Sequence, residues 1–154
     1  MASSDLKKIL VVGAGTMGHG LAQVFASGGR GVRLVDVSQS VLEGAFGQIR
    51  SNLEMMVDAE VLASEEIDPI LERIEMSTDL EASAGDVDLA IEAVPEDVDI
   101  KRDLFNRLNR VCPTDAILLS NTSSLNVFEI VRISHPERFC IAHWYAPPYI
   151  IPLV

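Results

Sequence analysis

Short apolar runs alternate along the chain with longer stretches whose apolar residues recur at helical spacing. Residues 9–12 form an unbroken apolar run closed by Gly13, the pattern of a parallel strand buried on both faces. A helix is predicted over 17–27, ended by the Gly28-Gly29 pair. A second strand follows over 32–37, with Asp36 near its end. A helix over 40–57 could pair with another over 65–75, whose first turn carries Glu65 and Glu66 where the helix dipole favours negative charge. A third strand is predicted over 87–94. Residues 96–111 place Ile100, Leu104, Leu108 and Val111 on one helical face. Strands over 116–119 and 139–142 flank a short helix over 127–133. This alternation predicts an α/β fold: a doubly wound, mostly parallel sheet with a helical-pair insertion after the second strand.

Composition narrows the partners. The chain has 154 residues, 48% of them hydrophobic, which suits one well-buried core and one domain over 1–154. Its 23 acids against 12 lysines and arginines give a net charge of −11, a field that repels both nucleic acid and anionic membranes. Neither is an expected partner. Cys112 and Cys140 lack CxxC spacing, the start of the chain carries no secretory pattern, and no apolar run approaches membrane-spanning length. A soluble protein of the reducing cytoplasm is expected, with no metal site.

The segment Gly13-Ala14-Gly15-Thr16-Met17-Gly18 fits G-x-G-x-x-G immediately after a strand and at the opening of a helix. The first glycine permits the tight turn, the second lets backbone approach a pyrophosphate, and the third lets helix and strand pack closely. The helix N-terminus then meets the phosphates with free N–H groups and positive partial charge. Asp36 lies 18 residues beyond Gly18, near the interval at which a carboxylate reaches the ribose 2′-hydroxyl. A Rossmann domain binding NAD is the expectation. A 2′-phosphate would face a like charge, and Arg33, inside its strand, is poorly placed to rescue NADP. The bland alternative is a glycine-rich turn beside an unrelated acid.

Three later segments keep register with the predicted strands: Ile91-Glu92-Ala93-Val94-Pro95-Glu96-Asp97 with Lys101; Ser120-Asn121-Thr122-Ser123-Ser124-Leu125; and Pro136-Glu137-Arg138-Phe139 leading to His143 and Pro152-Leu153-Val154. Glu96 and Lys101 fall just past a strand's carboxyl end, where open α/β sheets bind ligands, although an acid opening a helix with a lysine beyond it is also ordinary surface chemistry. Asn-Thr-Ser-Ser alone reads as a polar turn or helix cap. His143 ends a strand beside the expected cleft, where an imidazole suits proton transfer near neutrality, against the plain alternative of a structural histidine. His19, on the first helix, and His135, before Pro136, are weaker candidates.

Taken in order over the whole chain, these segments resemble the NAD-binding domain of the 3-hydroxyacyl-CoA dehydrogenases. The resemblance implies oxidation of a 3-hydroxyl to a ketone, with hydride passing to NAD and His143 acting as base. It also implies that Ser123 hydrogen-bonds the substrate oxygen, that Met17 packs near the adenine or pyrophosphate, and that Val94, Pro95, Glu96 and Lys101 lie along the nicotinamide half of the cofactor.

Departures accompany the matches. Where the family carries an asparagine three positions after its histidine, a contact to the cofactor, this chain has Ala146. The family's glutamate partner of the histidine follows the Leu-Val that is here Leu153-Val154, and a helical substrate and dimerisation domain comes after it. On that resemblance the chain as given is a cofactor domain expected to be inactive alone, with homodimer formation expected through the further domain. The helical pair, which helps hold coenzyme A in the family, here carries Glu54, Asp58, Glu60, Glu65, Glu66, Asp68, Glu72 and Glu75 against Arg73, a face that would repel phosphates if it were not simply solvated surface. The Pro147-Pro148-Tyr149 and Pro152-Leu153-Val154 ending also resembles relatives that oxidise free sugar acids such as L-gulonate, including a lens crystallin. A 3-hydroxyacyl-CoA, a free 3-hydroxy acid, or a non-catalytic NAD-binding role therefore stay open.

Overall fold

In the computed structural model, which describes residues 6–154, six parallel strands form one sheet. They are β1 (Lys8–Val12), β2 (Gly31–Val35), β3 (Ile74–Ser77), β4 (Leu89–Glu92), β5 (Ile117–Ser120) and β6 (Phe139–Ile141), in the spatial order β3-β2-β1-β4-β5-β6. The order reverses between β1 and β4, so the connections that leave these two strands diverge and open a crevice at their carboxyl ends.

Alternation along β1 sorts its side chains onto two faces. Ile9 and Val11 pack with Leu21 and Ala22 of α1 (Thr16–Ser27) and with Ile49 and Leu53 of α2 (Gln39–Asp58). Leu10 and Val12 face the opposite way, onto Leu104, Phe105 and Leu108 of a later helix. Strand residues Ile9 to Val11 are at most 1% exposed, so each branched aliphatic contributes roughly 1.5–3 kcal/mol of burial.

The elements between β2 and β4 differ from the sequence expectation. The helix expected over 65–75 is a single 3₁₀ turn, Ser64–Glu66, followed by a one-turn α3 (Ile67–Leu71), and Ile74–Ser77 is the edge strand. Ile74 pairs with Val32 and Glu75 with Arg33, so backbone pairing to β2 overrides the helical reading. A short α4 (Leu80–Ala84), capped by the Asp79 carboxylate, returns the chain to β4. β2 ends at Val35 rather than at 37, and Val37 is 94% exposed. β4 spans only 89–92 of the expected 87–94. α5 (Val98–Val111) starts two residues later than expected because Asp97 caps it, accepting from the N–H groups of Asp99 and Ile100 at 2.9 and 3.0 Å. α6 (Val127–Ile130) stops short of 133. Among the described residues, no helix is long and apolar enough to cross a membrane.

Candidate cofactor cleft and catalytic pair

The glycine segment bridges β1 and α1, and each glycine answers a distinct steric demand. Gly13 has φ +96°, and a Cβ there would stand 2.6 Å from the Ala93 carbonyl oxygen. A Cβ on Gly18 would lie 1.7 Å from the Gly13 carbonyl oxygen, so α1 can approach β1 this closely only without a side chain. A Cβ on Gly15 would meet nothing within 4 Å. Its space is open, as a backbone cradle for a ligand requires, and no side chain caps the helix start behind it.

Asp36, just past β2, closes the loop from the other side. Its Oδ2 accepts from the Ala14 N–H at 2.9 Å and its Oδ1 from the Ser38 N–H at 3.0 Å. The carboxylate is thus fixed at the rim of a cleft of about 960 Å³ lined by Gly13, Gly15, Thr16, Met17, Val94 and Pro95, among others. That volume is at the upper end of the range for cofactor sites. Gly18 packs behind the cleft rather than lining it. Arg33 is turned away: its guanidinium bonds to Asp86, to Glu75 and to the Ser83 carbonyl, and it is absent from the cleft lining.

Beyond Pro95 the polypeptide leads into an ionic network that the sequence only partly revealed. Lys101, 1% exposed, places its ammonium 2.5 Å from Glu92 Oε1 and 3.1 Å from Glu96 Oε2. Expected beside the cofactor, its side chain is buried here between two carboxylates, and neither it nor Glu96 lines the cleft. Glu96 Oε1 accepts from the Thr122 hydroxyl and from the N–H groups of Ser123 and Ser124, each of the latter at 3.1 Å. Burial would raise the Glu96 carboxyl; the Thr122 and Ser124 hydrogen bonds and the Lys101 ammonium outweigh it and bring it down to about 2. Glu92, fully buried as the last residue of β4, also accepts from Ser120 Oγ at 2.5 Å and from the Val94 N–H at 2.9 Å. Its signal in the sequence was an ionisable residue inside a strand that should be buried on both faces.

The network holds a loop whose exposed tip is Ser123. Ser123 Oγ and His143 Nε2 are hydrogen-bonded at 3.0 Å, joining the ends of β5 and β6. Asn121, expected to be a turn residue, fixes the backbone beside the histidine: its Oδ1 accepts from the Trp144 N–H at 2.8 Å. Tyr145 packs edge-on to the imidazole at 5.0 Å between centroids. His143 and Tyr145 line a smaller cavity of about 410 Å³ with Ile141, Leu153 and Val154. Ala146 is exposed and offers no amide there. The other histidines stand apart, His19 against the Gly15 carbonyl and His135 against Glu137.

Sheet order, glycine cradle and answering carboxylate together define a dinucleotide-binding domain of the Rossmann class. Within that class the chain belongs to the 3-hydroxyacyl-CoA dehydrogenase NAD-binding domain family, which it matches over residues 8–154. It is 37% identical over 151 residues to the 3-hydroxyadipyl-CoA dehydrogenase of Escherichia coli strain K12, covering 97% of this chain and 32% of that protein. It is 35% identical to the probable 3-hydroxybutyryl-CoA dehydrogenase of Bacillus subtilis strain 168, covering 97% of this chain and 52% of that protein. The crystal structure of 3-hydroxybutyryl-CoA dehydrogenase from E. coli K12 superposes with a TM-score of 0.90 at 36% identity, over 96% of this chain and 31% of that one. The chain thus spans between about a third and about a half of the length of these relatives.

Proposed function

We propose that this chain is the cofactor-binding part of an NAD-dependent dehydrogenase that oxidises the 3-hydroxyl of a 3-hydroxyacyl-CoA to the 3-keto form. The observation that carries the reading is the 3.0 Å contact between Ser123 and His143, held by Glu96 one residue beyond the Val94-Pro95 wall of the cofactor cleft. The cleft suits NAD: the open backbone at Gly15 and the start of α1 would hold its pyrophosphate and Asp36 a ribose hydroxyl, and when bound it would supply the hydride acceptor. The substrate hydroxyl comes within reach of both Ser123 Oγ and His143 Nε2 and replaces the hydrogen bond that joins them in the free chain. His143 takes the hydroxyl proton, the C3–H electron pair leaves as hydride, and the C–O bond becomes a carbonyl. Ser123 donates to the same oxygen and holds it in line. Residues 1–154 form one cofactor domain in this reading.

A second substrate reading has its own support. All eight acids between Glu54 and Glu75 are exposed, while the neighbouring Arg50 is paired with Asp68 and Arg73 bonds to the Ala26 carbonyl. Such a face disfavours the phosphates of coenzyme A and favours a free 3-hydroxy acid such as L-gulonate. A relative 33% identical over 150 residues, from Mesorhizobium japonicum, is named for a pyridine carboxylate rather than a coenzyme A ester.

The test is titration of the purified chain with NADH and NADPH by fluorescence or calorimetry, with 3-hydroxybutyryl-CoA and L-gulonate oxidation assayed on the natural gene product. Saturable NADH binding that exceeds NADPH binding, with turnover of one substrate, supports the proposal. A chain that binds neither dinucleotide would sink it.

A further inference from the structure

We infer that Glu92, which contacts neither cleft nor surface, is a positioning residue that sets the Ser123–His143 geometry through Lys101 and Glu96. The inference rests on the catalytic reading of that pair given above. Glu92 ends β4 in register with Val12 of β1 on one side and Ser120 of β5 on the other, directly beneath the crevice. One carboxylate there touches both sides of the site. Its Oε1 receives the Lys101 ammonium and the Val94 N–H, tying the wall of the cofactor cleft to α5. Its Oε2 receives the Ser120 hydroxyl, whose oxygen in turn accepts from the Thr122 N–H at 3.3 Å.

The charge order explains why the buried acid is needed. Lys101 and Glu92 are 1% and 0% exposed, and removing two charges from water is costly before pairing offsets it. Apolar residues of similar volume would fill the same space without that cost. What they would not do is hold an ammonium at the underside of Glu96. With Glu92 present, the ammonium is anchored from below, and Glu96 keeps its Oε2 on Lys101 and its Oε1 on the Ser123 and Ser124 amides. Without Glu92, the ammonium loses its deepest partner and the carboxylate above it loses its fixed orientation. Ser123 Oγ then drifts from His143.

The experiment is ¹⁵N NMR of the His143 ring in this chain, with NADH affinity measured in parallel, for wild type, Ser123→Ala, Glu92→Gln and the double variant. Ser123→Ala gives the Nε2 shift of an imidazole without its serine. Glu92→Gln is expected to move Nε2 at least half of the way there, to add nothing in the double variant, and to change NADH affinity less than threefold. A His143 signal in a folded Glu92→Gln chain that stays at the wild-type position overturns the inference. Lys101→Met breaks the same link from the other side and carries the same expectation if Glu92→Gln does not fold. A Leu108→Val control, destabilising but remote, leaves the ring signal unmoved if the effect is positional; an equal shift in it overturns the inference. Loss of NADH binding in the wild type would instead remove the functional reading on which it rests.

Discussion

Two glycines in one turn, Gly15 and Gly18, make separable predictions because their missing Cβ atoms would meet different things. Gly15→Ala adds a methyl to open space at φ −69°, a conformation that alanine adopts freely, so the fold is retained and the melting temperature changes by no more than a few degrees. The same methyl occupies the approach to the helix N-terminus, and NADH affinity falls at least tenfold. Gly18→Ala drives a Cβ into the Gly13 carbonyl and costs stability as well as binding. Thermal unfolding and NADH titration of the two variants check the contrast, and a Gly15→Ala chain with wild-type affinity would show that nothing docks against this backbone. Asp36→Ala tests the facing wall. Loss of a charged hydrogen-bond acceptor is worth about 1.5–3 kcal/mol, or roughly 10- to 100-fold in NADH affinity. NADPH affinity falls less or rises, because the like charge is removed; equal affinities before and after would take Asp36 out of the site.

At the scale of elements, what the sequence disclosed depended on length and on the period of burial. β1 is an apolar run and β2 an apolar stretch broken only by Arg33, both paired on both sides, and the helical repeat Leu104, Leu108 within α5 is unbroken, so these were readable. β3 is four residues, Ile-Glu-Met-Ser, with one buried side chain; its identity is set by pairing to β2, which no local pattern encodes. The site divides the same way. The glycine turn, Asp36, Ser123 and His143 carry their chemistry in their residue types, whereas the partnership of Glu92 with Lys101 exists only because β4 runs into α5 across the Asp97 cap. That junction has an acid-stability consequence. The Glu96 carboxyl is lowered from 4.5 to about 2, so its contribution to stability is present in full above pH 4.5 and is lost as the pH falls from there toward 2. Glu96→Gln is expected to flatten the fall in denaturation midpoint across this window. Asp86, lowered from 3.8 to about 2 by Arg33 and Lys8, contributes independently at the opposite, amino-terminal end of the strands, and Asp86→Asn measures its part. A Glu96→Gln profile parallel to wild type would show the loop anchor to be dispensable.

At the scale of the whole molecule, a charge of −11 sets a field through which any anionic substrate must pass. Coenzyme A carries several phosphate charges and a free hydroxy acid one, so the two substrate readings respond differently to the same perturbation. Glu54, Asp58 and Glu72 are exposed on or beside the helical pair, and their replacement by lysine changes the net charge by six units. Asp58 ends α2, where a cation is also favoured by the helix dipole, so the triple variant is expected to fold. If the carrier crosses this face, the KM for 3-hydroxybutyryl-CoA in the natural gene product falls about tenfold at an ionic strength near 0.01 M, where the Debye length is about 30 Å. Most of that gain disappears near 0.15 M, where the length is about 8 Å. L-gulonate, with a single charge and no long carrier to lay along the helices, shifts less than threefold. A KM for the coenzyme A ester that ignores the triple substitution at both salt concentrations would mean the acidic face never meets the carrier, and that face would then no longer argue for a free acid over a coenzyme A ester.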